Sequence, residues 1–425
     1  MQGLPATVIT YRSRGLLPHV FTLTPERAVI LCGTICGRLR APRLLTGALP
    51  YAVRTFLPLR RNGERDDPVG SGVKVGIKKK DIFTGYSRAM RIGSIMLAIF
   101  VVVCPAWLRG QNKFVFERPE MGSPFTITLY MHDSATAAGA AAAAFHLADS
   151  LNAILSDYID SSEINRLSAS SGQGRYVPVS PPLFDILHRS LMAATLSHGS
   201  YDVTVGPVVR LWRKARKSKV FPSPDSIRSA LARTGYRYLH LDTVARAVWL
   251  EKPGMLLDIG GLGKGFVAQA ALDLLQVRYG VGSAMVNAGG KIVLGPAPPG
   301  RPGWTIGINA PGEKEKILSR LLVLQSISVA TSGDIYQYVE FNGRRYSHIV
   351  DPRTGIGLTR RRNVTVIAHD GATADWLATA CSILSFRQSL RLIRRFPGAA
   401  LMVTGQGKHK IRAWYSADFD NYLKK

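Results

Sequence analysis

The stretch Ser332–Gly355, SGDIYQYVEFNGRRYSHIVDPRTG, reads as a β-hairpin that runs into a tight polar loop. Asn342-Gly343 supplies the turn, because both residues tolerate the positive φ of a two-residue hairpin connection. On the returning strand Tyr346, His348 and Val350 share one face at period 2, with Ser347 and Ile349 on the other. A hairpin built only for packing needs alternating apolar residues and little else. This one gathers Ser, Asp, His, Asp, Arg and Thr around its ends. A lone histidine on a strand is usually structural, so His348 needs support from elsewhere in the chain.

Outward from the hairpin, the pattern is globular from about Phe114. SPFTITLYMH alternates like a strand. ATAAGAAAAAFHLADSLNAILSDYID and LFDILHRSLMAATLSHG read as helices, the second ending at Gly199. MLLDIGG reads as a strand running into the helix KGFVAQAALDLLQ. SAMVNAGGKIVLGP reads as strand, Gly-Gly turn, strand. WTIGINAP, SISVATSG and RNVTVIAHD are further strands, and ATADWLATACSILS is a helix that carries Cys381 into the core. Mixed strands with long early helices predict an α+β fold.

Four local patterns carry oxygen and nitrogen groups suited to chemistry. LDIGGLGKGFVAQ, Leu257–Gln269, leads through a glycine-rich turn into a helix, whose first amides favour phosphate. Its glycines fit neither GxGxxG nor the P-loop, and a tight turn needing glycine explains them as well. In ATADWLATA, Asp375 and Thr379 stand four apart, so a carboxylate and a hydroxyl emerge on one helix face. That pair suits Mg²⁺, yet such pairs are common on solvated faces. GSYDVTVGPVVRLW places Asp202 and Thr204 before a Gly-Pro turn, where capping residues are ordinary. The fourth pattern is the hairpin itself.

These pieces occur together and in order. DSSEINRLS, YDVTVGPVVRLW, LDIGGLGKGF, VNAGGKIVLGP, ATSGD, RRYSHIVDPRTG and VTVIAHDGATADWLATA closely resemble the ApbE family, the FAD:protein FMN transferases, from about Met121 to about Leu384. The resemblance implies an ApbE-like, T-fold-like α+β domain, with mixed or antiparallel sheets flanked by helices around a flavin cleft. It implies Mg²⁺-dependent transfer of FMN from FAD to a Thr or Ser hydroxyl of an acceptor protein, with AMP leaving. By position, Met121 and Tyr158 would touch the flavin end of FAD, and Ser200, Tyr201 and Asp202 would hold FAD beside them. Asp258 and Lys264 would sit at the nucleotide, and Val350 would line the cleft. Asp375, Thr379 and an oxygen at Gly261 would hold the metal. Ala378 falls where some members offer a further carboxylate, so that ligand is absent or a backbone oxygen. His348 matches a histidine that assists the attacking hydroxyl. Two residues depart from the pattern: Lys291 stands where an acid is usual, and Ser168 where Asn is frequent.

The chain has 425 residues and is 46% hydrophobic, with 41 Gly and 24 Pro, a globular composition. Its net charge is +27, and about half of that excess lies within the first 113 residues. No zinc-finger, recognition-helix or aromatic-interleaved basic motif accompanies the charge, so nucleic acid is not the expected partner. An anionic membrane surface or phosphate groups explain it as well. Cys32, Cys36, Cys104 and Cys381 form no disulfide framework and no CxxC zinc pattern. Met90–Gln111, MRIGSIMLAIFVVVCPAWLRGQ, places Arg91 and the preceding Arg88 before an apolar run, as a secretory signal or N-terminal anchor does. The expected organisation is therefore a basic, poorly ordered extension or misassigned start over 1–89, a signal or anchor over 90–113, and a transferase domain over 114–425. That predicts export to the periplasm or anchoring on the outer side of the cytoplasmic membrane, with acceptors among membrane redox proteins. Two other readings use the same residues: a Mg²⁺-dependent FAD pyrophosphatase yielding AMP and FMN, and a membrane-anchored FAD-binding protein.

Overall fold

A computed structural model describes residues 110–309, 317–333, 337–406 and 411–424. The expected extension, nearly all of the expected signal or anchor, Cys32, Cys36, Cys104 and Asp334 lie outside the described residues. From Gln111 on, the described residues belong to one compact unit.

Its centre is an eight-stranded sheet. The strands are β1 (Asn112–Glu120), β2 (Ser123–Met131), β6 (Ser283–Ala288), β7 (Lys291–Leu294), β10 (Ser328–Gly333), β15 (Arg362–Ala368), β16 (Ala400–Gln406) and β17 (Ile411–Tyr415), in that spatial order. Every neighbouring pair is antiparallel. The β6–β7 connection is Gly289-Gly290, with φ of +60° and +88°. Such a primed turn matches the twist of the strands it joins.

Alternation along the strands sends side chains into two cores. On β7, Ile292 and Leu294 join one cluster and Val293 the other. The Val293 face is covered by three helices, α1 (Ser134–Leu155), α6 (Gly263–Tyr279) and α7 (Gly371–Ile383). Helix α1 buries Ala137, Ala140, Ala141, Ala144 and Ala148, a stripe of small residues at helical spacing. The second face is covered by the ribbon β8 (Trp304–Asn309) and β9 (Ile317–Leu324), with the 3₁₀ turn Ala417–Tyr422. Cys381 is fully buried in α7, as expected.

Outside the sheet, α2 (Glu163–Ala169) and α3 (Pro181–Leu196) precede α4 (Gly206–Ser218) and α5 (Pro224–Ala232), with a small sheet of β3 (Val177–Pro178), β4 (Leu239–Asp242) and β5 (Ala247–Leu250). The hairpin β11 (Tyr338–Phe341) and β12 (Arg344–Ser347) turns at Asn342-Gly343, both at positive φ. It packs on α4 and α5 through Val208, Trp212, Ala230, Val339 and Val350. Trp212 Nε1 donates to the Gly355 carbonyl over 2.8 Å, which ties the DPRTG loop to α4.

Three local expectations change. β12 stops at Ser347 and pairing resumes only in β13 (Val350–Asp351), which faces β14 (Ile356–Gly357), so His348 lies between strands. The ring and the backbone amide of His348 both bond the Gln337 carbonyl instead of a ladder partner. Met255–Gly261 joins no sheet: it makes one bridge between Val205 and Leu256 and one bond from the Asp258 amide to the Val203 carbonyl, then turns at Gly260-Gly261. Gly206-Pro207 opens α4 rather than forming a turn, since proline is well suited to a first helical turn.

Candidate active site

The site is set by the crossing of α6 and α7. A Cβ on Gly265 would stand 2.0 Å from the Gly371 carbonyl oxygen, and a Cβ on Gly371 would stand 2.3 Å from the Gly265 carbonyl oxygen. The two helix starts therefore touch backbone to backbone. This brings Asp375 onto the first turn of α6, where its Oδ2 accepts the Gly265 N–H over 3.1 Å. Thr379, one turn further along α7, reaches the loop before α6. Its hydroxyl lies 3.2 Å from the Gly261 carbonyl and 3.1 Å from the Asp375 carbonyl. A Cβ at Gly261 would meet Thr379 Cγ2 at 2.9 Å, so only glycine lets this loop approach. Thr379 thus joins the Gly261 loop to the helix turn that carries Asp375.

Ala378 lies on the same helix, one residue before Thr379. It is fully buried and its carbonyl accepts the Ser382 hydroxyl over 2.9 Å.

Lys291, the first residue of β7, enters the same place. Its ammonium stands 3.3 Å from Asp375 Oδ1, close enough for an ion pair but not aligned as a hydrogen bond. It donates to the Thr331 carbonyl over 2.6 Å and to Ser332 Oγ over 3.3 Å. Lys264 approaches from α6: its Nζ lies 3.6 Å from where a Gly289 Cβ would be.

Asp258 lies at the other end of the glycine loop. Its Oδ1 accepts the Gly260 N–H over 2.7 Å, and its Oδ2 pairs with Arg213 Nη2 over 3.0 Å. Arg213 also pairs with Asp157 and lies 4.0 Å over the exposed Tyr158 ring. Desolvation, then the charge of Asp157, pushes the Asp258 carboxyl up to about 6, against the pull of Arg213.

The segment Ser200–Asp202 acts mainly inward. Asp202 accepts the Thr204 N–H and hydroxyl over 2.8 and 2.7 Å and the Tyr236 N–H over 2.9 Å. Burial raises its pKa. The Tyr201 hydroxyl bonds Ser190 Oγ over 3.2 Å, and its ring tilts against Trp376. These bonds fix the positions of the Tyr201 and Asp202 side chains. Ser200 differs: its hydroxyl is buried with no hydrogen-bond partner. Met121 takes φ +48° in the β1–β2 turn and packs partly buried on the main core. Val350 is buried in the small cluster with Trp212, so its side chain supports the loop behind His348.

His348 is part-exposed, and its Nδ1 lies 3.0 Å from the Gln337 carbonyl. A carbonyl only accepts, so Nδ1 carries the proton and Nε2 keeps a lone pair. Desolvation pulls the ring pKa down to about 4, with the charges of Arg216, Lys291 and Lys264 acting in the same direction. The imidazole is therefore neutral at pH 7.

The donors fit a hard divalent cation. Asp375 Oδ1 is a buried carboxylate oxygen without a hydrogen bond, beside a threonine hydroxyl and a backbone carbonyl. Among the described residues no three His, Cys, Asp or Glu side chains cluster as a metal site. One carboxylate with neutral oxygens is the sparse set Mg²⁺ accepts when phosphate oxygens complete its shell. The sequence reading missed Arg213, Asp157, Thr331 and Ser332. Arg213 and Asp157 stand among other polar residues, in RLWRKARKSK and LSDYIDSSE, where nothing local singles them out.

Comparison with known proteins identifies relatives of this chain. The sequence pattern of the ApbE family matches residues 121–403. A FAD:protein FMN transferase of Klebsiella pneumoniae (strain 342) is 32% identical over 283 residues, which span 65% of this chain and 84% of the relative. One of Treponema pallidum (strain Nichols) is 34% identical over 268 residues, 60% of this chain and 74% of the relative. The apo crystal structure of the flavinyl transferase ApbE of Pseudomonas stutzeri superposes with a TM-score of 0.65 and 26% identity, covering 74% of this chain and 98% of that one. The chain described here belongs to the ApbE family.

Proposed function

We propose that this chain transfers FMN from FAD to a Thr or Ser hydroxyl of an acceptor protein, releasing AMP. The observation that carries the reading is the convergence of the Asp375, Thr379 and Gly261 oxygens at the start of α6, in a family whose relatives are named for this reaction. The acceptor oxygen forms a bond to the phosphorus of the FMN half, the bridging P–O bond to AMP breaks, and the hydroxyl proton passes to His348 Nε2. A neutral imidazole with Nδ1 held by Gln337 is oriented for this. Its resting pKa is low for a base, but a bound pyrophosphate places negative charge nearby and raises it.

Asp375, Thr379 and the Gly261 carbonyl would hold Mg²⁺, which supplies positive charge to the pyrophosphate without carrying a proton. Lys264 would add charge at the phosphates, and the amides at the start of α6 would favour them. Tyr158, exposed over Arg213, would offer a face to the isoalloxazine, with Met121 at the same end. The buried, unpartnered Ser200 hydroxyl would take a hydrogen bond from or to FAD. Asp258 would set the nucleotide end through its bond to the Gly260 amide.

The apolar run after Arg88 and Arg91 supports export or anchoring of the domain outside the cytoplasmic membrane, with membrane redox proteins as acceptors. The test is incubation with FAD, Mg²⁺ and an acceptor bearing a flavinylation site, read by in-gel flavin fluorescence and AMP release. Labelled acceptor with stoichiometric AMP is expected. AMP with free FMN and no labelled acceptor would replace transfer by pyrophosphate hydrolysis.

A further inference from the structure

Lys291 has no part in the mechanism above, yet it is a deeply placed cation in the site. Its side chain keeps 11% exposure and the Asp375 side chain keeps none. Its position follows from the backbone: Gly289-Gly290 turns the chain, and pairing of Lys291 with Ala330 sets it beside β10. From there the ammonium reaches Asp375 Oδ1, Thr331 O and Ser332 Oγ together. Ser332 Oγ in turn lies 3.5 Å from Thr379 Oγ1. A positive charge therefore already stands among the oxygens assigned to the divalent ion.

We propose that Lys291 is a specificity-determining residue of the cation site, its ammonium competing with a divalent cation for Asp375 Oδ1. The proposal rests on the assignment of Asp375, Thr379 and Gly261 to that site. An ammonium and a divalent cation on one carboxylate oxygen repel each other strongly in a poorly hydrated site, so each weakens the other's hold. Divalent binding displaces the ammonium from Oδ1. The lysine stem is flexible and its head remains tethered at the Thr331 carbonyl, so the charge stays in the cleft. An anionic pyrophosphate then gives it a new partner. Divalent cation and pyrophosphate consequently bind with positive coupling: each binds more tightly in the presence of the other.

The test is Mn²⁺ binding to the full chain, followed by electron paramagnetic resonance, with and without ADP as the pyrophosphate probe. Lys291→Gln keeps a hydrogen-bond donor without charge, Lys291→Met removes both, and Lys291→Arg keeps the charge. Removing the charge should tighten Mn²⁺ binding without ADP by roughly tenfold to a hundredfold. The gain should shrink at high salt and vanish in an Asp375→Asn background. Lys291→Arg should stay close to wild type, and ADP should tighten Mn²⁺ binding more in wild type than in Lys291→Gln. Folded Lys291→Gln and Lys291→Met proteins that bind Mn²⁺ no better than wild type would overturn the proposal. Acceptor labelling by wild type is scored separately. Competition without labelling retains the role of Lys291 and removes flavin transfer, whereas labelling without competition does the reverse.

Discussion

Gly265 and Gly371 are in backbone contact, each occupying the space the other's Cβ would need. This contact is what lets α7 deliver Asp375 to the first turn of α6. Any side chain at either position must push the two helix starts apart. Gly265→Ala is therefore expected to destabilise the fold by about 1–3 kcal/mol and to weaken divalent binding as well, since it separates Asp375 from the Gly261 loop. Calorimetric melting and Mn²⁺ titration check both. A Gly265→Ala protein with wild-type melting and wild-type Mn²⁺ affinity would show that the close approach is dispensable.

Asp375 is fully buried and accepts the Gly265 amide, so replacing it with alanine removes more than a ligand. Asparagine keeps the shape and that hydrogen bond while removing the charge. Asp375→Asn should fold, lose at least about tenfold in divalent affinity, and lose Mg²⁺-dependent acceptor labelling. Retention of Mg²⁺-dependent turnover by a folded Asp375→Asn enzyme would take Asp375 out of the cation site.

His348→Ala should slow acceptor labelling by roughly 10²–10⁴ while sparing FAD affinity, because the ring is assigned to proton transfer. Flavin fluorescence and in-gel labelling measure the two separately. An unchanged labelling rate would make another group the base.

His348 also shapes acid stability. Its folded pKa of about 4 lies below the ordinary 6.5, so the unfolded chain binds more protons between those values. Its contribution to stability is present above pH 6.5 and is lost as pH falls toward 4. Asp258 has the opposite sign, since its folded pKa of about 6 lies above 3.8. Its contribution is present below pH 3.8 and lost as pH rises through 6. Urea titrations across pH 4–6.5 should therefore give a shallower rise of stability with pH for His348→Gln than for wild type. Identical slopes would place the ring in solvent-like surroundings.

Arg213 holds Asp157 and Asp258 together and lies over Tyr158. Arg213→Leu leaves two neighbouring carboxylates without their cation. The expected cost is about 3 kcal/mol, the low end for breaking a buried pair, because Arg213 keeps 19% exposure. FAD affinity should fall in parallel. Equal stability at pH 7 with undiminished FAD binding would mean that the pair neither supports the loop nor orients Tyr158.

A reporter fused after residue 113 should be active only when exported, given the basic residues and apolar run between Arg88 and Cys104. A soluble, cytoplasmic reporter would remove the export assignment.

Local sequence by itself determined the elements whose signals are local. The 2-residue period of β2, β15 and β7, the Asn342-Gly343 and Gly289-Gly290 turns, and the alanine stripe of α1 each follow from side-chain spacing or from φ preferences. The i,i+4 pair Asp375/Thr379 was likewise readable, because helical geometry fixes it. What those oxygens face was decided only by tertiary structure. Nothing within nine residues of Asp375 announces that Lys291 from β7, Gly265 from α6 and Ser332 from β10 will meet it, since strand order and the helix crossing set those contacts. The same reason explains the misread segments. Met255–Gly261 has strand composition but finds no ladder, and His348 leaves its strand because the Gln337 carbonyl takes its amide and ring. For Asp202 and Tyr201, likewise, only the fold supplies the partners Thr204, Tyr236 and Ser190.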